Sequence, residues 1–302
     1  MNQINQESSK PKETSYDYGD EYQQQMLKYH HEAKEPSASN YGYLRVQLVK
    51  GLIEDAFQRL ARKSRQETVV VDVGCSVGTF AIESARMGFS SHGVDFDDRA
   101  IKLAQRLNVE EGTQAQFHVM DVSDWTGKFP PVDIAVCADI FEHLHDDELG
   151  ALLVSLRRNL SKDGLLVFHT APQEYDYIFW KKRGDVGMID LRWFLLPFKF
   201  LSDEYFTRLV RIVALAYDIL SVALRGTTYK ERIKRADHPN PLTRGRLTDL
   251  LHRAGFEILS VDTCTFDVQM RPRHAAFFRS HSITHRSLFG IARPRARLQP
   301  AK

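Results

Sequence analysis

The run Val69-Val70-Val71-Asp72-Val73-Gly74-Cys75-Ser76-Val77-Gly78-Thr79-Phe80 sets an aspartate two residues before a glycine, with a second glycine four residues further on. Its β-branched start reads as a buried strand, and its glycines as a turn that opens a helix. Gly74 lets the backbone turn tightly and come close to a ligand, and Gly78 lets the helix pack on the strand. Ligands of open parallel sheets bind at such strand ends. A turn built for a pyrophosphate reads G-x-G-x-x-G. Counted from Gly74 it would need glycine at 76 and 79, where Ser76 and Thr79 stand. Asp72 would repel a pyrophosphate as well, so the turn suits a ligand that carries positive charge.

Further along are more groups able to do chemistry. Gly93-Val94-Asp95 places a carboxylate 21 residues after Gly74, followed by Phe96, and Asp121-Val122 follows Phe117-His118-Val119-Met120. An ionised carboxylate accepts through two oxygens and donates nothing, which suits ligand hydroxyl and amino groups. The segment Asp133-Ile134-Ala135-Val136-Cys137-Ala138-Asp139-Ile140-Phe141-Glu142-His143-Leu144 ends in a carboxylate and an imidazole. His143 is the candidate general base, since imidazole titrates near neutral pH. The structural alternative is that Glu142 and His143 cap the next helix and order the loop. Asp139, Glu142 and His143 also fall at i, i+3 and i+4, a spacing that on a helical turn can hold a divalent ion. No metal is the favoured reading, because no further ligand is evident. His169 reads as a satisfied buried histidine within a strand. His30 and His31 read as solvated surface, unless the N-terminal segment docks over the site as a lid.

These groups need elements to hold them. Apolar residues at helical spacing predict a helix over Tyr43 to Ala61. Alternating patterns then predict a strand over Thr68–Val73, a helix over Gly78–Met87, a strand over Ser91–Val94 and a helix over Arg99–Leu107. Strands follow at Ala115–Val119 and Val132–Ala138, a helix at Asp146–Leu160 and a strand at Gly164–Thr170. Thr243 is an expected N-cap, Gly255 the expected stop of that helix, and strands are expected at Phe256–Thr265 and Leu288–Ala292. Strands alternating with helices of this length mean βαβ units and a parallel sheet.

With four segments in this order, each at a strand end, the chain resembles the class I S-adenosylmethionine-dependent methyltransferases. Val70 to Phe80 resembles their first motif, departing at Ser76, where a second glycine is usual. The resemblance covers about Tyr43 to Pro172 and Thr243 to Pro294. It implies a Rossmann-like α/β fold with a seven-stranded, mostly parallel sheet and helices on both faces. The implied cofactor is S-adenosyl-L-methionine, whose sulfonium and ammonium meet the positive charge that the turn suits. Asp72, Gly74, Cys75 and Gly78 would form its turn. Asp95 would accept from the ribose hydroxyls, Phe96 would pack on the adenine, and Asp121 with Val122 would hold the adenine amino group. Ala138 would line the sulfonium. The Asp139, Glu142, His143 cluster is similar to that of metal-assisted members. The implied activity is methyl transfer to a small, lipid-linked or glycan acceptor, by O-methylation first, with N- and C-methylation open. The competing readings are a degenerate scaffold of the same fold and a nicotinamide-dependent oxidoreductase.

The boundaries expected are a flexible N-terminal segment or lid at 1–38, a cofactor domain at 39–173 and 237–302, and a helical cap at 174–236. The cap carries Tyr175, Tyr177, Phe179, Trp180, Trp193, Phe194, Phe198, Phe200, Tyr205 and Phe206 among Lys181, Lys182, Arg183, Arg192, Lys199, Arg208 and Arg211. Residues 181–235 hold 12 basic and 6 acidic side chains, whereas 66–173 hold 17 acidic and 8 basic. Basic and aromatic residues together suit an apolar acceptor, a membrane surface or an anionic head group. No recognised nucleic-acid module is present, so nucleic acid is not an expected partner. Three scattered cysteines, Cys75, Cys137 and Cys264, point to neither a disulfide framework nor zinc, and to a cytoplasmic setting. The polar start, Met1 to Lys10, is not read as a signal peptide, and the apolar stretch Ile212 to Leu224 is too short to span a bilayer.

Overall fold

The structure is a computed structural model that describes residues 19–37, 40–60, 64–122, 130–175, 194–228, 238–266 and 280–295. Of the side chains expected in the cap, Tyr177, Phe179, Trp180, Lys181, Lys182, Arg183, Arg192 and Trp193 lie outside the described residues, as does the stretch 1–18.

Seven strands form one sheet: β1 (Val69–Val73), β2 (Ser90–Asp95), β3 (Gln116–Val119), β4 (Val132–Ala138), β5 (Leu160–Thr170), β6 (Phe256–Cys264) and β7 (Ser287–Pro294). Their order is β3-β2-β1-β4-β5-β7-β6. All neighbours are parallel except β7, which runs antiparallel to both β5 and β6. The chain thus winds outward through β2 and β3 and returns to place β4 beside β1. The loops leaving β1 and β4 diverge at this switch point and open a crevice at the carboxyl edge.

Side chains alternate across the sheet, as the two-residue period of a strand requires. Val71, Val73, Ala135, Cys137, Leu166 and Phe168 share one core with the apolar stripes of α5 (Asp146–Asn159) and α7 (Arg244–Arg253). Val70, Ile134, Val136, Leu165 and Val167 face the other way, against α2 (Tyr41–Arg59) and Phe80 of α3 (Thr79–Arg86). The outer helix α4 (Asp98–Glu110) packs Leu103 and Leu107 with Val77, Ile82 and Phe117. The caps are local: Asn40 accepts from Tyr43 N, Asp97 from Arg99 N, and Thr243 from Arg246 N. Gly255 stops α7 in the left-handed region at φ +84°.

β5 begins at Leu160, four residues earlier than the pattern suggests. Its first residue pairs with Val132, and a register shift then brings Leu165 opposite Ile134. Gly164 sits inside that irregularity, where a Cβ would lie 2.8 Å from the Val132 carbonyl oxygen. The described part of the cap is dominated by α6 (Asp203–Arg225). Its buried stripe, Phe206, Val210, Ala214 and Tyr217, packs with Leu195 and Ile283 in a core separate from both sheet faces. Ahead of the sheet, α1 (Asp20–Glu32) lies on α2 and beside the crevice.

Candidate active site

The glycine turn takes the shape its sequence requires. Gly74 and Gly78 have φ of +71° and +81°, and Ser76, where the resemblance would have glycine, also enters the left-handed region at +48°. A Cβ on Gly78 would lie 2.5 Å from the Phe117 ring, so its absence lets β3 and the start of α3 come together. At Gly74 the crowding group is Ile140, 2.4 Å from where a Cβ would stand. Gly74 N and Cys75 N both donate to the Val94 carbonyl, which ties the turn to β2.

Two carboxylates hold this turn. Asp95 Oδ2 accepts from Ser76 N at 2.8 Å and Oδ1 from Asp97 N at 3.0 Å. Asp72 Oδ2 accepts from Ala81 N at 3.1 Å, joining the end of β1 to the first turn of α3. Burial pushes Asp72 up to about 7 against the lowering effect of the Ala81 N–H, and the nearby Asp95 adds to the rise. Burial raises Asp95 too. Further negative charge is unwelcome here, and positive charge would relieve the pair.

The predicted residues divide into two groups. Asp72, Gly74, Cys75 and Ala138 line a cleft of about 590 Å³ together with Asp139, Glu142 and His143. Asp95, Phe96, Asp121 and Val122 stand beside it, at the ends of the paired strands β2 and β3. Met120 N donates to the Asp95 carbonyl at 2.7 Å, so the segment carrying Asp121 is pinned next to Asp95. Phe96 is 56% exposed at that edge.

On the other side of the cleft the geometry corrects three expectations. Asp139 has φ +58°, which turns it off the helical i, i+3, i+4 arrangement. Its carboxylate pairs with Arg45 of α2 and accepts from His169 Nδ1 at 2.6 Å. Burial alone would raise Asp139, but the His169 and Arg45 charges overcome it and hold the group well below the usual carboxylate range. Asp139 is therefore no partner of Glu142 and His143 as a metal ligand. His238 is: ligand atoms of Glu142, His143 and His238 lie within 4.8 Å of one another. Those three residue types could hold a divalent ion. Nor do Glu142 and His143 cap the next helix. Glu148 accepts from His145 N at 2.8 Å at the start of α5, while Glu142 accepts from the Thr170 hydroxyl at 2.7 Å and orders the loop. Burial, then the nearby Asp139 charge, raises Glu142. The His143 and His238 rings face each other with centroids 4.9 Å apart.

The third correction concerns His30. It is 1% exposed, its Nδ1 hydrogen-bonded to the Thr79 hydroxyl at 2.9 Å and its Nε2 to Glu111 at 2.6 Å. Lys34 and Arg86 reach the same Glu111 carboxylate. Burial holds His30 below its ordinary value. Gln23 donates to Asp97 at 2.8 Å, so α1 is anchored at two points while Tyr22, Met26 and Tyr29 line the cleft. His31 is exposed, as expected of it. Tyr41, Arg45, His238 and Arg286 complete the cleft wall and had no motif to announce them. The helical spacing that predicts a helix from Tyr43 places Arg45 in its first turn, and the cap at Asn40 brings Tyr41 into that helix as well.

Comparison with known proteins gives this geometry its relatives. A family model for a methyltransferase domain matches residues 46–261. A ubiquinone biosynthesis O-methyltransferase of Nitrosomonas europaea is 30% identical over 115 residues, covering 37% of this chain and 48% of the relative. A magnesium-protoporphyrin O-methyltransferase of Synechocystis is 29% identical over 119 residues, 38% of this chain and 50% of the relative. The chain thus spans about half the length of these curated relatives. The fold matches the crystal structure of the Synechocystis magnesium protoporphyrin IX methyltransferase with bound S-adenosylhomocysteine, at TM-score 0.51 and 15% identity over 91% of this chain and 96% of that one. It also matches an S-adenosylmethionine-dependent methyltransferase of Clostridium acetobutylicum, at TM-score 0.52 and 11% identity over 91% and 99%. With a domain model covering well over half its length, the chain belongs to the methyltransferase-domain family.

Proposed function

We propose that this protein O-methylates a small acceptor, with His143 as the general base. The observation that carries the reading is the continuity of one cleft. It runs from the turn at Asp72 and Gly74, past Ala138, to the imidazoles of His143 and His238. Bound S-adenosylmethionine supplies a methyl group on a cationic sulfur, so most of the driving force is the cofactor's. The chain's own residues orient, exclude water and move a proton. Asp95 and Asp121 would hold ribose and adenine, Phe96 would pack on the base, and Gly74, Cys75, Gly78, Val122 and Ala138 would shape the seat. The Asp72 carboxylate would serve the sulfonium end. An imidazole nitrogen of His143 takes the acceptor hydroxyl's proton. Glu142, buried next to it, fixes the loop that carries His143.

The acceptor class in this reading is a small molecule, lipid-linked or glycan. The domain reading that goes with it is a lid at 1–38, a cofactor domain at 39–173 and 237–302, and a cap at 174–236 that covers the acceptor and meets a membrane surface. Relatives named for ubiquinone and magnesium-protoporphyrin methylation support a bulky ring acceptor. The test is kinetic and calorimetric. His143→Ala should lower kcat by about 100-fold or more, the scale of general-base catalysis, with affinity for S-adenosylhomocysteine unchanged. Full turnover in that variant would remove His143 as the base.

A further inference from the structure

The cleft lies at the carboxyl edge of the sheet. A second hollow, of about 770 Å³, opens at the opposite edge, where β4 and β5 begin. β4 has seven residues, so roughly 20 Å separates the two. The irregular start of β5 shapes this hollow. Between the pairs Val132–Leu160 and Ile134–Leu165, β4 has one residue and β5 has four. The surplus places Ser161, Lys162 and Asp163 in the wall. Ser161 donates to the buried Asp133 at 3.2 Å, which fixes the bulge.

The wall is strongly basic. Arg59, Arg157, Arg158, Lys162, Arg293 and Arg295 line it, against Asp163 and Glu257. Arg59 pairs at 3.0 Å with Asp55, which is outside the wall. Arg293 pairs with Glu257 at 2.8 Å, and the Arg295 charge acts on the same carboxylate. Even with Asp55 counted, six cations meet three carboxylates, and all nine are described residues. Arg157, Arg158 and Lys162 form no ion pair among the described residues. Cations in the last turn of a helix answer its dipole, which accounts for Arg59 on α2 and for Arg157 and Arg158 on α5. No dipole calls for Lys162, Arg293 and Arg295, which stand on β5, on β7 and just past it. The group is also held in place. Gly255 leaves open the point where a Cβ would lie 2.6 Å from the Arg157 guanidinium, and its carbonyl accepts from Arg295 N at 2.8 Å.

The make-up of the wall selects its occupant. Five of the six cations are arginines, whose planar forks match phosphate oxygens two at a time. The volume is that of a small-ligand pocket. Among the described residues no aromatic side chain lines it, so nucleic-acid bases have nothing to stack on. Its apolar members, Leu160, Leu165, Leu259 and Pro294, are buried or half-buried and offer acyl chains no open surface. We propose that this hollow is a second ligand site, separate from the cofactor cleft, that binds a compact anion carrying several phosphate groups. The site does not depend on which acceptor the cleft takes.

The probe is inorganic tripolyphosphate, titrated calorimetrically into the full chain. It should bind one to one, with an affinity that falls as salt rises. Inorganic monophosphate, which spans fewer of the cations, should bind about tenfold more weakly or worse. Arg158→Gln with Lys162→Gln should lower tripolyphosphate affinity by about tenfold or more. Both side chains are exposed and lie away from the cleft, so that variant should keep its unfolding midpoint and its affinity for S-adenosylhomocysteine. Flotation with vesicles carrying phosphatidylinositol bisphosphate distinguishes the sources of the phosphates. Flotation that tripolyphosphate competes away would assign them to a lipid head group, and absence of flotation to a free anion. No heat of binding with tripolyphosphate would overturn the proposal. So would equal affinity for monophosphate, or an unchanged affinity in the double variant.

Discussion

At the scale of single residues the site is a study in carboxylates in unlike surroundings. Asp72 and Asp139 end neighbouring strands, yet burial lifts the first to about 7 while Arg45 and His169 hold the second far down. For Asp72 the sign is definite. Its proton is held more tightly in the folded protein than in the unfolded chain, so its contribution to stability falls as pH rises from about 4 toward 7. A cationic ligand favours the ionised form, so binding of S-adenosylmethionine should expel that proton. Its affinity should climb by roughly tenfold between pH 6 and 8, the scale of one pH unit spent below the pKa. S-adenosylhomocysteine, with no sulfonium, should show a smaller climb. Titration calorimetry across that range reads both, and Asp72→Asn should flatten the S-adenosylmethionine profile. A wild-type profile already flat would remove Asp72 from the sulfonium end. Asp139 is the opposite case. Asp139→Asn leaves the guanidinium of Arg45, 16% exposed, without its counter-charge, at a cost of about 3 kcal/mol, readable as a lower denaturant midpoint at constant slope. An unchanged midpoint would mean that water compensates Arg45 instead.

At the scale of elements, Gly78 joins two demands, a left-handed φ and the nearness of Phe117 and Ala104. Gly78→Ala should cost about 2 kcal/mol or more, and less in a Phe117→Leu background, where the ring no longer stands against the new methyl. Equal cost in both backgrounds would leave backbone strain as the whole effect. The same turn shows what was legible from the chain alone. Strands β1 and β4 announce themselves through β-branched residues, and Thr243 and Gly255 mark the ends of α7, because these signals are local. The docking of α1 gives no such signal, since the two residues it buries are Gln23 and His30. Periodicity methods look for apolar faces, and this helix is fastened by hydrogen bonds to Asp97, Thr79 and Glu111. His238 was illegible for another reason. It meets His143 from 95 positions further along the chain, and only the return of the chain before α7 brings them together. Asp139 misled because its spacing implied a helical turn, and a single positive φ aims its carboxylate elsewhere.

At the scale of the whole molecule, a crevice at a switch point is open by construction, because the loops leaving β1 and β4 travel to opposite faces. Something must close it if the reacting groups are to be kept from water. In this chain α1 stands in that position. It touches the loop after β2 through Gln23 and Asp97, and the helix after the turn through His30 and Thr79. The main cores depend little on it: its apolar contribution is Met26 and Leu27 beside Val77 and Ile82, with Ala33 just beyond its end. A chain lacking residues 1–36 should therefore still unfold cooperatively and keep its far-ultraviolet spectrum. It should bind S-adenosylhomocysteine about tenfold more weakly or worse, through faster dissociation, as expected when a pre-formed wall of a site is removed. His30→Ala in the full chain should reproduce part of that loss, because it cuts one anchor and leaves Gln23 in place. Stopped-flow dissociation rates compare the three proteins directly. If release is equally fast in all of them, α1 is a passenger on the fold, and the cofactor is held by the sheet edge alone.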